Sequence, residues 1–394
     1  MQRRKFLQYS TLASISSLFN LGLLKHKPIK ALPIDVEKNK VYDWIFLYWM
    51  PYDNNLSEFS TPILEMLVKG VQSDNILVLV QSNYSGIKPI LRNIITIGNI
   101  DTQKLEATDS SSEEVFAEYL SWARLQFKAK KWAIVFLGHG GRLDEISPDE
   151  HPIMGISLRT KWMNIQKLSI IIEKFNNKIN KRVELFFFQN CNKGTLEANY
   201  TFKNIAKYTL SSQLTLGAPN YYYEPLLKFV GHNPEINGRK LAEMIMEFDR
   251  RDMYYSYTCV NNNAIHSLPS RINPLIESIL LSNTKAINLN EVKTYYYMNE
   301  QFADAVSCFE TLTMQSGVDE QKYNEFSKYL KNSMLVKVKK NGTLIDSDSQ
   351  REYQNFSGLG VFIPKNKQEI EKYCYLQVYS DLKLRKLFDL ILFD

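Results

Sequence analysis

Hydrophobic residues follow two alternating patterns along this chain. Four near-continuous apolar runs have the length of strands that are buried on both faces, and segments with apolar residues at helical spacing lie among them. The runs are YDWIFLYWM (42–50), NILVLVQ (75–81), KWAIVFLGHGG (131–141) and RVELFFFQNC (182–191). The helical segments include 57–71, 110–127 and 162–176. This alternation predicts an α/β domain built on a mostly parallel sheet.

The same reasoning extends beyond residue 191. We predict a helix over 196–208 and a further strand over 212–219. The chain has 394 residues, of which 44% are hydrophobic, so it can bury a sizeable core. No internal repeat or low-complexity linker interrupts it.

Two of the predicted strands end on residues that can carry out chemistry. His139 and Cys191 each follow an apolar run, and the 52 positions between them fit one helical crossover. The carboxyl ends of parallel strands meet at one edge of a sheet, where ligands bind in open α/β folds. Gly140 and Gly141 would let the backbone approach a substrate and leave an amide free for an oxyanion. A helix beginning near Gly194 would favour the thiolate form of the cysteine.

Each of these residues also has an ordinary explanation. A single cysteine at a strand end is usually a small buried hydrophobic residue, and a single histidine in a loop usually has no special role. Only the pair, joined by one strand–helix–strand unit, supports a catalytic hypothesis in which the imidazole moves the proton that the leaving amine needs.

The net charge of +6 at first favours a nucleic-acid partner. Six of the 48 Lys and Arg residues precede the first acidic residue, and without them 42 basic residues face 42 acidic ones. Those six are Arg3, Arg4, Lys5, Lys25, Lys27 and Lys30. The basic character therefore belongs to the leader, and nucleic acid is excluded as a partner.

The leader, residues 1–31, is typical of an export signal. Paired arginines before Phe6 and Leu7 and a weakly hydrophobic stretch diluted by serine resemble a twin-arginine signal, with Ala31 a candidate cleavage position. The stretch is too short to span a bilayer comfortably, so no stable membrane span is expected after its removal. The protein is expected in the periplasm, cell envelope or extracellular space. The alternative is a frayed basic tail.

The four cysteines do not indicate a metal site or a disulfide framework. They stand at 191, 259, 308 and 374, without the spacing of a zinc site, although two of them could pair in an exported protein. The acidic loop of Asp144, Glu145, Asp149 and Glu150 could hold calcium, but a solvated loop is the favoured interpretation. No cofactor is expected, and the sequence leaves open whether the 142–161 loop is cleaved during maturation.

Five segments in order resemble the clostripain family of cysteine peptidases, within the caspase-like group. They are WIFLYWMPYDNNLSEF (44–59), WAIVFLGHGG (132–141), VELFFFQNCNKGTLEANY (183–200), YYYEPLLKF (221–229) and FSGLGVFIP (356–364). The resemblance implies a caspase-like α/β/α sandwich at 32–232, then a helical C-terminal region at 233–394 with a returning strand near 356–364. It also implies a peptide or protein substrate. Carried over by position, His139 is the general acid and base, Cys191 the nucleophile, and the amides of Gly140 and Cys191 the oxyanion hole.

The chain departs from the family at the substrate pocket. Gln189 stands where the family commonly has an aspartate two residues before the nucleophile, and Asn220 stands where an acidic wall is commoner. Neither amide can pair with the Arg or Lys that the family's carboxylate binds. The resemblance thus predicts a cysteine endopeptidase with a non-basic or altered preference at P1. The alternative is an envelope binding or scaffold protein that keeps the fold without turnover.

The leader generates a test of export. Changing Arg3 and Arg4 together to Lys should trap the precursor inside the cell, because the twin-arginine route reads the arginines themselves. Fractionation followed by immunoblotting measures this, and a Lys25→Arg, Lys27→Arg double variant serves as the control that also exchanges basic residues. Normal export of the Arg3, Arg4 variant would contradict the assignment.

Overall fold

The computed structural model describes residues 40–85, 87–150, 160–250, 253–282, 287–341 and 356–393. All of them belong to one unit of the chain, Val36–Asp394. The leader predicted at 1–31 lies outside the described residues, as does most of the predicted 142–161 loop beyond residue 150.

The strands form one large sheet and two small ones. In chain order they are β1 (Val41–Tyr52), β2 (Ile76–Tyr84), β3 (Ile87–Thr96), β4 (Asn99–Lys104), β5 (Lys128–Leu137), β6 (Glu145–Asp149), β7 (Lys161–Asn164), β8 (Val183–Gln189), β9 (Ala206–Ser212), β10 (Tyr255–Asn261), β11 (Thr294–Tyr297), β12 (Glu300–Asp304), β13 (Leu335–Asn341) and β14 (Gly360–Phe362). The large sheet has the order β13-β10-β9-β8-β5-β1-β2-β3-β4, while β6 pairs with β7 and β12 lies between β11 and β14.

Helices connect and cover these strands. They are α1 (Ser60–Gly70), α2 (Glu113–Gln126), α3 (Ile165–Ile179), α4 (Leu196–Thr201), α5 (Tyr223–His232), α6 (Gly238–Phe248), α7 (Asn262–Ile265), α8 (Leu268–Leu280), α9 (Ala305–Ser316), α10 (Glu320–Tyr329), α11 (Lys367–Glu371), α12 (Gln377–Asp381) and α13 (Leu384–Phe393). None of the helices in the described ranges is long and apolar enough to cross a membrane.

The centre of the large sheet is parallel, as predicted. The neighbouring strands β9, β8, β5, β1 and β2 all run in the same direction, and the antiparallel pairs are confined to the two edges. The central strands are buried along nearly their whole length because helices cover both faces, and this is why their sequences are uniformly apolar. The predicted α/β sandwich with a mostly parallel sheet is confirmed.

Side chains of β1 show how the two faces are filled. Trp44, Phe46 and Tyr48 point into one core, which they share with α1, α5 and α6. Trp49 points to the opposite face, where its ring packs edge-on against Phe116 of α2 at 5.3 Å. Successive side chains of β1 therefore point alternately into the apolar cores on the two faces of the sheet.

The C-terminal region, predicted as helical over 233–394, contains helices α6 to α13 and joins the large sheet through strand β10, which pairs with β9. Strand β13 extends the sheet beyond β10. Strand β14 returns beside the turn that follows β8, where the Gly360 amide donates to the Gly194 carbonyl at 2.8 Å. These links place the small sheet β11-β12-β14 next to the end of β8.

The prediction for 196–219 is wrong in its boundaries. The helix ends at Thr201 and strand β9 occupies Ala206–Ser212, whereas none of 213–219 is strand. Strand β9 carries Lys207, Ser211 and Ser212, which weakened its apolar signal. The apolar residues after it line the turn that follows β8: the Leu214 carbonyl accepts a hydrogen bond from the Asn192 amide at 3.2 Å.

Candidate active site

The register of β5 and β8 brings the two predicted catalytic segments together. Leu137 pairs with Gln189 at the carboxyl ends of these parallel strands. The segments beyond them contact each other directly, because a Cβ atom added to Gly140 would lie 2.3 Å from the Cys191 carbonyl oxygen. Only glycine permits this approach at position 140.

His139 is held by a turn at the end of β1. Its Nε2 lies 2.7 Å from Oδ1 of Asn55. An amide oxygen only accepts, so Nε2 carries a proton and Nδ1 presents its lone pair when the ring is neutral. Burial lowers the pKa of His139, and the negative charge of Asp53 opposes this effect. The neutral imidazole is therefore the favoured resting form.

The turn that presents Asn55 is fixed by its own capping bond. Asn54 accepts the Leu56 amide at 3.0 Å and begins a short 3-10 turn over Asn55–Phe59. These residues form the Asp-Asn-Asn-Leu part of the first segment that resembles the family, but the sequence pattern gave no role to Asn55. The signal that could have found it is a polar turn at the end of a strand next to the strand that carries His139.

Cys191 is half-buried, and none of the four cysteines forms a disulfide. Its sulfur lies 3.4 Å from the Leu216 amide. Burial raises the pKa of the Cys191 thiol, and the Leu216 backbone, the Tyr297 hydroxyl and the charge of Lys193 oppose this effect. Within the described part of the chain, no hydrogen bond joins His139 to Cys191. The resting pair is a neutral thiol and a neutral imidazole.

The expected activation by a helix N-terminus is not what the structure shows. Helix α4 begins at Leu196, and Thr195 caps it by accepting the Ala198 amide at 3.2 Å. Cys191 thus precedes the helix by a full turn of irregular chain. Desolvation outweighs any effect of the helix dipole, which falls off within the first turn.

The amides of Gly140 and Cys191, predicted as oxyanion donors, are available. Neither donates a hydrogen bond to another residue that the structure describes. The next amide, that of Gly141, is occupied by the Glu145 carbonyl at 3.1 Å. Asn190 fixes the turn before Gly140 by donating to the Gly138 carbonyl at 2.8 Å. Two free N–H groups in contacting segments can stabilise a developing oxyanion.

Lys193 links the turn after Cys191 to the loop after His139, a role that the sequence pattern did not indicate. This lysine is fully buried. Its ammonium donates to the carbonyls of Gly141 at 3.3 Å and Arg142 at 2.5 Å, and it reaches that of Leu143 at 3.5 Å. Burial lowers the pKa of Lys193 to about 8. The ammonium ties the turn after Cys191 to the loop after His139.

The predicted pocket residues are in contact with each other. Gln189 donates to Oδ1 of Asn220 at 2.7 Å and to the Tyr223 hydroxyl at 2.6 Å, and it accepts from the Tyr222 hydroxyl at 2.6 Å. Asn220 in turn donates to Asp249 at 2.8 Å. All of these side chains are buried. Gln189 and Asn220 thus form a polar amide network beneath the end of β8, and this network ends on the carboxylate of Asp249.

Asp249 is the carboxylate that belongs to this network. It accepts from the Tyr221 amide at 3.1 Å and from the Tyr257 hydroxyl at 3.1 Å, in addition to Asn220. Burial raises its pKa. Glu224, the acidic residue that is closest in sequence to Asn220, forms an ion pair with Lys228 at 2.6 Å instead.

The acidic loop residues have separate partners. Asp144 accepts from Asn164 at 3.1 Å, Glu145 accepts the Arg142 amide at 3.0 Å, and Asp149 accepts the Ser110 amide at 2.9 Å. The Glu150 amide donates to Asp53 at 2.7 Å. Across the described ranges, no group of three or more His, Cys, Asp or Glu residues is placed to hold a metal ion.

The electrostatics around His139 can be tested by NMR titration of its imidazole. We expect the His139 pKa to lie below 6.5, to fall further in Asp53→Asn, and to rise by about one pH unit or more in Asn55→Asp, where a carboxylate favours imidazolium. The control is Asp74→Asn, which removes an exposed carboxylate before β2, at the opposite edge of the sheet. A His139 pKa that does not respond to Asp53 or Asn55 would contradict this description.

Comparisons with known proteins agree with this fold. The Clostripain family model matches residues 48–389. The structure is similar to that of an inactive zymogen of a C11 protease from Parabacteroides distasonis (TM-score 0.67, 17% identity, 87% of this chain and 99% of that one). It is also similar to a secreted C11 cysteine protease from Bacteroides thetaiotaomicron in complex with an irreversible peptide inhibitor (TM-score 0.66, 16% identity, the same coverage). A search of curated proteins gives no match. Since the family model spans most of the chain, this protein belongs to the clostripain family of cysteine peptidases.

Proposed function

We propose that this chain is an exported cysteine endopeptidase with Cys191 as nucleophile and His139 as general base and acid. The observation that carries the proposal is the contact between the Gly140 and Cys191 segments, which leaves both amides free. This arrangement supplies a nucleophile, a proton carrier and oxyanion donors within one small region.

The neutral resting pair favours proton transfer during attack. The Cys191 sulfur bonds to the substrate carbonyl carbon while its proton passes to Nδ1 of His139. The carbonyl oxygen becomes an oxyanion that accepts hydrogen bonds from the Gly140 and Cys191 amides. The C–N bond then breaks as the imidazolium gives its proton to the leaving amine, and a thioester remains.

Hydrolysis of the thioester uses the same groups. A water molecule gives a proton to Nδ1 of His139 and its oxygen bonds to the thioester carbon. The C–S bond then breaks, the carboxylic acid leaves, and the sulfur recovers its proton from the imidazolium. Asn55 keeps Nε2 protonated throughout, so Nδ1 is the atom that exchanges protons.

Two further parts of the proposal rest on particular residues. Export rests on the paired arginines and weak hydrophobicity of the leader. The preference for an uncharged or acidic P1 side chain rests on Gln189 and Asn220, since their amide side chains would line the pocket without a negative charge. A buried cation without a paired carboxylate costs several kcal/mol, which corresponds to a loss of roughly a thousandfold in cleavage.

The nucleophile can be tested by substitution. Cys191→Ala should abolish peptide hydrolysis and leave the fold intact, because it removes the sulfur but little buried area, on the order of 1 kcal/mol. His139→Ala should also lose most of its activity, since the leaving amine would depart unprotonated. Steady-state assays and far-UV circular dichroism measure the two effects, and Cys374→Ala is the control at another half-buried thiol.

The outcomes separate the two candidate functions. An irreversible thiol-directed peptide inhibitor should label Cys191 selectively in an active enzyme. If the Cys191→Ala variant hydrolyses peptides at the wild-type rate, the proposed mechanism is refuted. A correctly folded wild-type protein that neither hydrolyses peptides nor reacts with the inhibitor would instead identify a binding or scaffold protein.

The pocket generates a specificity prediction. In a peptide library we expect the wild type to cleave poorly after Arg and Lys and better after Asn, Gln or an acidic residue, because neither Gln189 nor Asn220 supplies a carboxylate to pair with a cation. Gln189→Asp should shift the preference toward Arg and Lys because it restores a carboxylate. Gln189→Asn is the matched control of the same size without the charge. A wild-type profile dominated by Arg or Lys would show that another carboxylate, Asp249 or Glu224, serves the pocket.

A further inference from the structure

The loop that follows His139 is held through its carbonyls by side chains from distant parts of the chain. Residues 140–143 form this loop. The Lys193 ammonium donates to three consecutive carbonyls, those of Gly141 at 3.3 Å, Arg142 at 2.5 Å and Leu143 at 3.5 Å. The remaining carbonyl, that of Gly140, accepts from the Tyr297 hydroxyl at 2.6 Å. Every carbonyl of the 140–143 loop therefore has a partner.

The amides of the same loop are bonded with one exception. Three of them donate to Glu145 or Glu300: the Gly141 amide to the Glu145 carbonyl at 3.1 Å, the Arg142 amide to the Glu145 carboxylate at 3.0 Å and the Leu143 amide to the Glu300 carboxylate at 2.8 Å. The Gly140 amide, a predicted oxyanion donor, donates to no residue in the described ranges. Because buried backbone groups are normally paired, a loop whose other groups are all bonded holds this one N–H in a fixed place.

Lys193 fixes that place relative to the nucleophile, since it lies two residues after Cys191. It is fully buried, and its side chain spans the distance from the turn after Cys191 to the 140–143 loop. Tyr297 and Glu300, which also bind the loop, belong to the β11–β12 hairpin. Lys193 therefore connects the loop directly to the segment that carries the thiol.

Three carbonyl acceptors match the three protons of an ammonium group. A lysine ammonium has three donors and no lone pair, and hydrogen bonds from a charged donor are roughly twice as strong as neutral ones. After loss of a proton, the amine has two donors and a lone pair, which repels a carbonyl oxygen. One carbonyl then loses its partner and the other two bonds weaken. We propose that Lys193 is a positioning residue: its ammonium keeps the Gly140 amide in place beside Cys191 for the oxyanion, and loss of its proton releases the loop.

The groups around Lys193 decide when its proton leaves. Burial lowers the pKa of Lys193 to about 8, and the charges of four titratable residues oppose this effect, namely Glu300, Asp144, Glu145 and Cys191. Burial also raises the pKa of the Cys191 thiol, so Lys193 loses its proton before the thiol does as the pH rises. Activity should therefore fall on the alkaline side before the thiol ionises.

The pH dependence of peptide hydrolysis in Lys193→Met tests this role, because methionine has a side chain of similar length and no ammonium. For the wild type we expect kcat to fall between pH 7 and pH 9, with a midpoint near the Lys193 pKa. KM should change little, since an oxyanion donor acts in the transition state. In Lys193→Met, kcat at pH 7 should be roughly tenfold lower, with no further fall up to pH 9. Lys203→Met is the matched control, since Lys203 is also buried but binds Gln377 of α12 at 2.8 Å.

Two results would overturn the proposal. If Lys193→Met keeps the alkaline loss of the wild type, another group controls that loss. If alkylation of Cys191 by iodoacetamide at pH 7 falls as much as hydrolysis does, the charge of Lys193 acts on the sulfur and not through the loop, because alkylation needs the thiolate but no oxyanion donor. We expect alkylation to fall by about threefold at most.

Glu300→Gln provides a second test if Lys193→Met does not fold. This change keeps the shape of the side chain and removes a negative charge that favours the ammonium, so the Lys193 pKa and the alkaline limb of kcat should both move to lower pH. NMR titration of the Lys193 Nζ measures the pKa independently of activity. A limb that stays in place while the Nζ titration moves would refute the role.

This role rests on the proposed function, and NMR of protein with labelled glycines separates the two. The Gly140 and Gly141 amide resonances should shift with the same midpoint as the Lys193 Nζ, whether or not the chain hydrolyses peptides. If they do so while Cys191→Ala still hydrolyses peptides at the wild-type rate, the proposed function fails and the hold of Lys193 on the loop stands. If Cys191→Ala abolishes hydrolysis and neither the glycine resonances nor kcat follow Lys193, the reverse is true.

Discussion

The backbone contact between Gly140 and Cys191 is the constraint on which the candidate site depends. The parallel register of β5 and β8 fixes both strand ends, and a side chain at position 140 would overlap the Cys191 carbonyl. The amides of Gly140 and Cys191, in these contacting segments, donate to no other residue that the structure describes. It also brings the loops that follow His139 and Cys191 close enough for one ammonium, that of Lys193, to bind three carbonyls. A displacement of about 1 Å between reacting groups can cost a hundredfold in rate, which explains why such a contact would be built into the sheet.

Desolvation dominates the electrostatics of this region. It raises the pKa of the Cys191 thiol and lowers those of His139 and Lys193, so burial works against every charge in the site. The opposing effects are short-range: the Leu216 amide, the Tyr297 hydroxyl and the Lys193 charge all act on the same sulfur. A thiolate at this position would thus depend on a few specific contacts and not on a helix dipole. The side chains around the sulfur, and not only the sulfur itself, therefore set the ionisation of this thiol.

The sequence was sufficient to predict those features that depend on residues close together in the chain. Strands β1, β5 and β8 were predictable because burial on both faces makes them continuously apolar, and His139 and Cys191 stood out because they end such strands. Asn55, Lys193 and Tyr297 were missed, because they act through contacts across 84, 52 and 157 positions of the chain. The error at 212–219 has the same origin. An apolar segment that lines a functional turn has the composition of a strand, and only the tertiary structure distinguishes the two.

Residues of the C-terminal region contact the candidate site, although the sequence predicted the site to lie within the 32–232 core and apart from the region at 233–394. Glu300 of β12 accepts the Leu143 amide at 2.8 Å, and Tyr297 of the same hairpin binds Gly140, so one hairpin holds the loop after His139 at two points. The Gly360–Gly194 bond holds the turn after Cys191 from the neighbouring strand β14. The same small sheet therefore holds both candidate catalytic segments. Because the Gly140–Cys191 contact tolerates little movement, a site of this kind cannot be separated from the region that encloses it, and the helical C-terminal region is better regarded as part of the candidate active site than as an appended domain.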